Sequence, residues 1–237
     1  MVELNTIGST FMRNRTFAIM LLSMTFCTTL SAQQQEPSMA DMKKTFLKEC
    51  AKPVADMTVI EDMISKHPKI IDKGDRYGRT CFWFSVQQGD MELFSYLIEN
   101  PKANPTVDID AYDNVQSLTP LMLAIILYET PGQNDYQQMA KTLIERKADL
   151  NMTDIKGNNP LMLAVTHGNI EMTKMILEKE GKNRVNLEAK NDRKRTAMDL
   201  ATLGIKEATE KNNADNIKLY TEISELIKAE MAVEAKE

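Results

Sequence analysis

The chain contains few of the residues on which catalytic and metal sites usually depend. Among its 237 residues there are two histidines, three cysteines and one tryptophan, and aromatic residues make up 6% of the total. The GxSxG, HExxH, Walker and dinucleotide-binding motifs are missing from the sequence. His67 and His167 lie far apart, each near a predicted helix end, where a cation interacts favourably with the helix dipole. We therefore predict no catalytic residue, no metal site and no cofactor.

The sequence also lacks an excess of positive charge. Its net charge is −5, and this becomes −6 without residues 1–32, whose charged residues are Glu3, Arg13 and Arg15. A mildly acidic chain attracts neither nucleic acid nor an anionic membrane surface, so we predict no partner of either kind. Residues 190–195 form the one basic cluster visible in the sequence, and we interpret it as a solvated loop.

Long apolar runs are missing too, with one exception near the N-terminus. FAIMLLSMTFCTTL, from Phe17 to Leu30, follows two arginines and precedes the small residues Ser31 and Ala32. The run is shorter than the roughly 20 residues that cross a membrane and is typical of a secretory signal peptide. We predict a signal peptide over residues 1–32, cleaved near Ala32. The mature protein is then periplasmic, or alternatively secreted, and is not inserted in a membrane.

Three alternatives concern this N-terminal segment. The first is a start at Met12 instead of Met1, because residues 1–11 add nothing that a signal peptide needs. The second is a lipid attached to Cys27, although this cysteine lies inside the apolar run without the small residues of a lipid-attachment site. The third is an uncleaved membrane anchor.

Export changes the interpretation of the cysteines. Removal of residues 1–32 discards Cys27 and leaves Cys50 and Cys81 in an oxidising compartment, where a disulfide is possible. Two helices packed side by side lie about 8 to 10 Å apart, whereas bridged Cα atoms must lie within about 7 Å. Two buried free thiols are therefore the alternative. Neither cysteine has the CxxC spacing of a redox or metal site.

A repeated sequence organises the rest of the chain. PLMLA occurs at residues 120–124 and again at residues 160–164. Alignment on this stretch gives four copies, each with a polar, turn-rich beginning and then an apolar segment. Repetition at a fixed period indicates a structural unit built more than once. The copies begin at Asp75, Asp113, Asp154 and Asn191, and their anchor residues Thr80, Thr119, Asn159 and Thr196 are 39, 40 and 37 residues apart.

Each copy predicts two short helices. The Thr or Asn anchor is typical of a helix N-cap, and Pro120 and Pro160 come next at the first helical position, where a missing N–H does no harm. Gly89 and Gly168 suit the left-handed end of the first helix. The second helix shows an apolar stripe, such as the one that starts at Ile170. The chain has 17 methionines, and those that follow the helical stripes, such as Met122, Met162, Met172 and Met175, are interpreted as core residues.

These segments resemble ankyrin repeats. The family pattern has a D-x-x-G-x-T-P-L-H-x-A core and a G-A-D-x-N loop, and KADLN at residues 147–151 matches that loop. Two departures are visible. Each copy exceeds the usual 33 or so residues, with the excess in loops, and other residues replace the family histidine. The third copy matches at Asp154, Gly157, Pro160, Leu161, Ala164, Gly168, Glu171, Ile176 and Leu177, and the histidine position holds Trp83, Met122, Met162 and Asp199.

The resemblance implies an all-α repeat solenoid, in which helix-turn-helix units joined by long loops and β-turn tips stack between helical caps. It covers nearly all of the mature chain. The predicted divisions are a signal peptide (1–32), a polar linker (33–39), a repeat domain (40–232) with a degenerate first unit (40–72), repeats starting near residues 75, 113, 154 and 191, a last helix near residues 214–230, and a tail (233–237).

The resemblance also implies a protein-binding module, although it leaves the partner unnamed. We expect a monomer that binds another protein through its turn tips and first helices. Trp83 is a hot-spot candidate because tryptophan is enriched at hot spots, and core packing is its alternative role. The predicted partner-binding residues are Arg76, Tyr77, Trp83, Gln87, Gln88, Asn114, Gln116, Ile126, Leu127, Ile155, Lys156, Thr166, Arg193 and Lys194.

Two alternative functions accompany this scaffold hypothesis. One is a secreted effector that binds a host protein. The other is an enzyme whose site is assembled by the loop insertions at residues 99–112 and 128–136. Those loops contain carboxylates but neither a histidine nor a predicted nucleophile, so they provide little of what a catalytic site requires.

Overall fold

The computed structural model describes residues 37–99, 107–128, 135–179 and 183–235. The predicted signal peptide lies outside these ranges, as do parts of both insertion loops. Ten α-helices occur in the described ranges: α1 Met39–Cys50, α2 Met57–Lys66, α3 Cys81–Gln88, α4 Met91–Glu99, α5 Pro120–Leu127, α6 Asp135–Glu145, α7 Pro160–Thr166, α8 Ile170–Leu177, α9 Ala197–Glu210 and α10 Ala214–Glu234.

The four repeat anchors begin helices α3, α5, α7 and α9. Each anchor has extended backbone, and its side-chain oxygen accepts a hydrogen bond from the backbone N–H three residues later, which satisfies a donor that the helix itself leaves free. The predicted N-caps are therefore confirmed. The bonds run from Trp83 N to Thr80 (3.2 Å), from Met122 N to Thr119 (3.3 Å), from Met162 N to Asn159 (2.9 Å) and from Asp199 N to Thr196 (3.2 Å).

The helices form two rows. In the inner row α3, α5, α7 and α9 contact one another in that order, and in the outer row α4, α6, α8 and α10 do the same. Each inner helix also packs against the next helix in sequence, which belongs to the outer row. Fully buried side chains such as Leu121, Leu143 and Ile176 fill the space between the rows. This arrangement confirms the predicted repeat solenoid, and the described part of the chain contains no strand.

A smaller unit precedes the first full repeat. Helices α1 and α2 and a short 3-10 helix, Pro68–Ile70, contribute the fully buried Phe46, Ile60 and Ile70 to the core. A disulfide joins Cys50 to Cys81, with Cα atoms 5.2 Å apart. Cys50 ends α1 and Cys81 begins α3, so the two residues meet at helix ends, where the spacing of parallel helix axes does not limit their approach.

At the other end, α9 and α10 form the longest helix pair. Gly204, inside α9, lets the ring of Tyr220 lie against the helix backbone, because an added Cβ would be only 2.5 Å from Tyr220 Cδ1. Much of α10 is exposed and polar, as expected of a helix with the capping role predicted from the sequence. Within the described ranges, no helix combines the length and the apolar character that crossing a membrane would need.

Candidate partner-binding face

Four turns project beside the starts of the inner helices: the first turn (75–79), the second (113–118), the third (154–158) and the fourth (191–195). Each begins with Asp or Asn, whose side chain accepts backbone N–H groups of its own turn. In the third turn, one carboxylate oxygen accepts hydrogen bonds at 2.8 Å from two backbone N–H groups. The turns are therefore ordered by their own hydrogen bonds.

Backbone hydrogen bonds also join each turn to the next. Every turn after the first donates one backbone N–H to a carbonyl of the preceding turn. The four turns consequently form a row in which each is held in register with its neighbours. The bonds run from Asn114 N to Tyr77 O (2.7 Å), from Ile155 N to Gln116 O (2.8 Å) and from Asp192 N to Lys156 O (3.0 Å).

Several exposed side chains on this row are apolar or cationic. Val115 and Ile155 are 53% and 62% exposed. Arg76, Lys156 and Arg193 are exposed as well. Apolar side chains on rigid, surface-exposed turns gain free energy when a partner covers them, so these positions are favourable for protein contact.

A central groove lies between the first two turns and the inner helices behind them. Its volume is about 550 Å³, within the size range of ligand-binding clefts. Much of its lining is apolar, and its polar members come from the first two turns and α3. The lining residues are Tyr77, Arg79, Trp83, Gln87, Asp113, Val115, Gln116, Leu118, Leu123 and Ile126.

Trp83 belongs to the core beneath this groove. It is only 5% exposed, and its indole N–H donates a 3.0 Å hydrogen bond to the carbonyl of Leu118. Burying the ring and satisfying its donor within the chain fixes α3 against the second turn. The structure thus places Trp83 in the packing role that the sequence offered as the alternative to a hot spot, and we expect it to form the floor of the groove.

Arg79 organises the first turn. Its guanidinium lies 2.6 Å from the Asp75 carboxylate and stacks on Tyr77 and Phe84, with 4.9 Å from its central carbon to each ring centre. Burial alone would raise the pKa of Asp75, but hydrogen bonds from Arg79 and from backbone N–H groups outweigh it, so the pKa is lowered. The charge of Arg79 is therefore largely neutralised inside the turn.

Two cationic grooves flank this region. The first cationic groove, about 420 Å³, lies between α1 and the first turn and is lined by Lys43, Lys44, Leu47, Lys48, Asp75, Arg76, Tyr77, Arg79 and Phe84. The second cationic groove, about 290 Å³, lies between the third and fourth turns and is lined by Lys156, Asn158, Thr166, Asn191, Asp192, Arg193, Arg195 and Leu200.

The sequence suggested a single basic cluster, at residues 190–195, and the structure corrects this by adding the first cationic groove. Lys44 and Lys48 are one helical turn apart on α1, so they lie on the same face. The fold brings that face next to Arg76, which is distant in sequence. The helical spacing of the lysines could have been recognised in the sequence. Their proximity to the first turn could not, because it depends on the fold.

The predicted partner-binding residues fall into groups. Five line the central groove, three line the second cationic groove, and Arg76 lines the first together with Tyr77. Gln88 instead donates a 3.1 Å hydrogen bond from its side-chain amide to the carbonyl of Ala51 and so packs on the N-terminal unit. The central-groove group is Tyr77, Trp83, Gln87, Gln116 and Ile126, the second-groove group is Lys156, Thr166 and Arg193, and Asn114, Leu127, Ile155 and Lys194 lie outside all three grooves.

Two aspartates of the first insertion loop, Asp108 and Asp110, have structural partners. Asp108 accepts a hydrogen bond from the backbone N–H of Asp110, and Asp110 accepts one from the backbone N–H of Asp149, both at 3.0 Å. Burial, with a smaller contribution from the nearby charges of Asp149 and Asp108, raises the pKa of Asp110. The bond between Asp149 and Asp110 ties the loop to the KADLN turn of the next repeat. Within the described ranges, no three His, Cys, Asp or Glu residues are grouped so that they could hold a metal ion.

Comparison with known proteins agrees with this architecture. A sequence model of three ankyrin repeat copies matches residues 47–154, and a model of many copies matches residues 143–201. The chain is also similar to human (Homo sapiens) Rabankyrin-5, with 26% identity over 147 residues, which is 60% of this chain but only 12% of that protein. Ankyrin repeats generally mediate protein–protein interaction, and proteins built from them are typically non-catalytic scaffolds. Because the two models match without a break from residue 47 to residue 201, these residues form ankyrin repeats.

Proposed function

We propose that this protein is a non-catalytic scaffold of the cell envelope that binds another protein through its turn row and the adjoining grooves. The observation that carries the proposal is the row of four turns, which is held in register by backbone hydrogen bonds and borders a preformed central groove. A surface ordered before binding loses little conformational entropy when a partner docks. The exposed Val115 and Ile155 supply apolar contact area on the same row.

Two features support export. The N-terminal segment has the charge and apolar pattern of a signal peptide. The Cys50–Cys81 disulfide is of a kind that persists in oxidising compartments and is rare in the cytosol. The secreted-effector hypothesis shares both features and differs in the final location. Cell fractionation therefore separates the two, since a scaffold stays in the envelope and an effector is released into the medium.

The test of partner binding is a crosslinked pull-down of the purified chain from the envelope of its own cells, with bound proteins identified by mass spectrometry. The face variant combines Arg76→Ala, Val115→Ser and Lys156→Ala, three exposed positions on the turn row. These changes leave the backbone hydrogen bonds between turns intact, so the fold should survive. We expect one protein to be captured by the wild type and lost with the face variant.

A matched control variant carries the same kinds of change on the outer helices. Lys141→Ala, Lys228→Ala and Val233→Ser remove two exposed cations and one exposed valine from α6 and α10. This control should capture the same protein as the wild type. Equal capture by all three chains would move the binding site away from the turn row, and the absence of any captured protein would contradict the scaffold function.

A further inference from the structure

We propose that the segment bound on this face is an extended acidic peptide of the partner protein, with an apolar residue between two stretches of Asp or Glu. The acidic stretches lie in the two cationic grooves and the apolar residue lies in the central groove. This inference rests on the proposed function, because it names the chemistry of the partner at the same face.

Charge complementarity is the first argument. The whole chain has a net charge of −5, yet the two cationic grooves concentrate lysine and arginine at both ends of one face. Among the carboxylates that line them, Asp75 is already paired with Arg79, which leaves the exposed Asp192 as the remaining acid. The cations at the first groove are Lys43, Lys44, Lys48 and Arg76, and those at the second are Lys156, Arg193 and Arg195.

The central groove differs from the two cationic grooves because its charged groups are already paired or hydrogen-bonded to other groups of the protein. Arg79 pairs with Asp75. Asp113 is 5% exposed, and its carboxylate accepts hydrogen bonds from the backbone N–H groups of Val115, Gln116 and Leu118 at 2.8 to 2.9 Å. The surface that remains for a ligand is dominated by the aliphatic side chains of Val115, Leu118, Leu123 and Ile126. An apolar side chain fits this groove better than a charged one.

The spacing of the grooves defines the peptide. Packed helices lie about 8 to 10 Å apart, and the inner helices contact one another in order, so each repeat advances the face by about 10 Å. The central groove is one repeat from the first cationic groove and two repeats from the second. At about 3.3 Å per extended residue, the apolar residue should lie about three residues from one acidic stretch and about six from the other.

Other polyanions fit this face less well. Base stacking on the first turn is hindered, because Arg76 and Arg79 already lie against the ring of Tyr77, with 4.6 Å and 4.9 Å from their guanidinium carbons to the ring centre. The net negative charge of the whole chain opposes the approach of a long polyanion or an anionic bilayer. A short acidic peptide contacts the cationic grooves without extending over the rest of the surface.

The test measures binding of fluorescent synthetic peptides to the purified chain by anisotropy. The probe peptide has Glu at both ends, serine spacers, and a Leu-Phe pair about three residues from one Glu stretch and about six from the other. Its controls replace Glu by Lys, replace Leu-Phe by Ser-Ser, or place Leu-Phe midway between the ends. We expect tightest binding by the probe peptide, and weaker binding as the salt concentration rises, since exposed charge contacts are screened.

Charge-reversal variants test whether each cationic groove binds one acidic end of the peptide. Lys44→Glu with Lys48→Glu alters the first cationic groove, and Lys156→Glu with Arg193→Glu alters the second; all four side chains are solvent-exposed, so they can change without repacking the core. Each pair should weaken binding of the probe peptide by about tenfold or more, the effect of replacing two exposed attractive contacts by repulsive ones. Reversal of Lys141 and Lys228 on the outer helices is the matched control and should change the affinity little.

The outcomes separate this inference from the proposed function. Equal binding of the Glu and Lys peptides, or equal effects of the face and outer-helix reversals, would overturn the acidic-peptide inference. The scaffold function would still stand if the pull-down captured a partner that the face variant loses. Heparin or anionic phosphatidylglycerol vesicles could also bind as tightly as the probe peptide, with the same dependence on the variants. That result would overturn the acidic-peptide inference in favour of general anion binding.

Discussion

Removing the disulfide should destabilise the N-terminal unit by an amount that depends on the length of the loop it closes. Cys50 and Cys81 are separated by 31 residues, and both are fully buried. In the chain-entropy model, closing a loop of this length lowers the conformational entropy of the unfolded chain by about 12 cal/mol/K. This corresponds to about 4 kcal/mol of stability at 25 °C. The loop contains α2 and the short 3-10 helix, so the constraint acts mainly on the first unit.

The effect should be local, because each unit of a repeat stack contacts only its neighbours and the stability of the stack is close to a sum of unit and interface contributions. The comparison is between the oxidised and reduced wild type, which have the same side chains, with Cys50→Ala/Cys81→Ala as a chain that cannot form the bridge. Urea unfolding monitored by circular dichroism gives the overall loss. Hydrogen exchange locates it, and we expect faster exchange in α1 and α2 with little change in α7 and α8.

Three results would refute this reasoning. Equal urea midpoints for the oxidised and reduced chains would mean that the bridge does not limit the unfolded state. A uniform rise in hydrogen exchange would mean that the repeats unfold as one unit. Two free thiols in the native purified chain would favour the alternative of buried, unbridged Cys50 and Cys81.

Three further predictions concern single side chains, and each is checked by urea unfolding. Thr119→Ala removes the oxygen that caps α5 and should cost about 1 to 2 kcal/mol, whereas Thr119→Ser should restore most of the loss. Asp110→Asn keeps an acceptor oxygen and removes the carboxylate charge of a group whose pKa is raised by burial, so it should stabilise the chain at neutral pH. This stabilisation should vanish as the pH falls through the raised pKa of Asp110, because the wild-type carboxyl group is then neutral as well. A stabilisation that persists in acid would contradict this cause. Gly204→Ala improves helix propensity by about 1 kcal/mol but forces the ring of Tyr220 away at a cost of about 1 to 3 kcal/mol, so a stabilised variant would be the contrary result.

The fold was predictable from local signals. The Thr and Asn anchors, Pro120 and Pro160, and the apolar stripes each specify a helix start or a buried face through contacts within a few residues in sequence. The repetition then indicated how the helices pack over long range, since stacked copies must cover one another's apolar faces. The replacement of the family histidine by Trp83 in the first full repeat did not disturb this, because the Thr80 side chain caps α3 through the backbone N–H of residue 83, whichever side chain that residue carries.

The binding face was predictable only in part. The turns were visible as polar segments, and the structure places the exposed Lys156 and Ile155 on them. The first cationic groove depends on how α1 lies against the first turn, and no local pattern reports that contact. The packing of Trp83 likewise includes a long-range contact, the hydrogen bond to Leu118, 35 residues away. The surroundings of a side chain at a contact between units therefore cannot be predicted from one sequence alone.

The N-terminal unit links the stability of the chain to the chemistry of its proposed site. The disulfide holds the end of α1 at the start of α3, and the same α1 supplies Lys44 and Lys48 to the first cationic groove. The central groove is lined instead by residues of the first two turns and of the inner helices α3 and α5. Loss of the bridge should therefore weaken one acidic contact while the apolar contact persists. An oxidising compartment would then favour both the folded N-terminal unit and the complete face, so the proposed export would strengthen binding as well as determine where the protein is located.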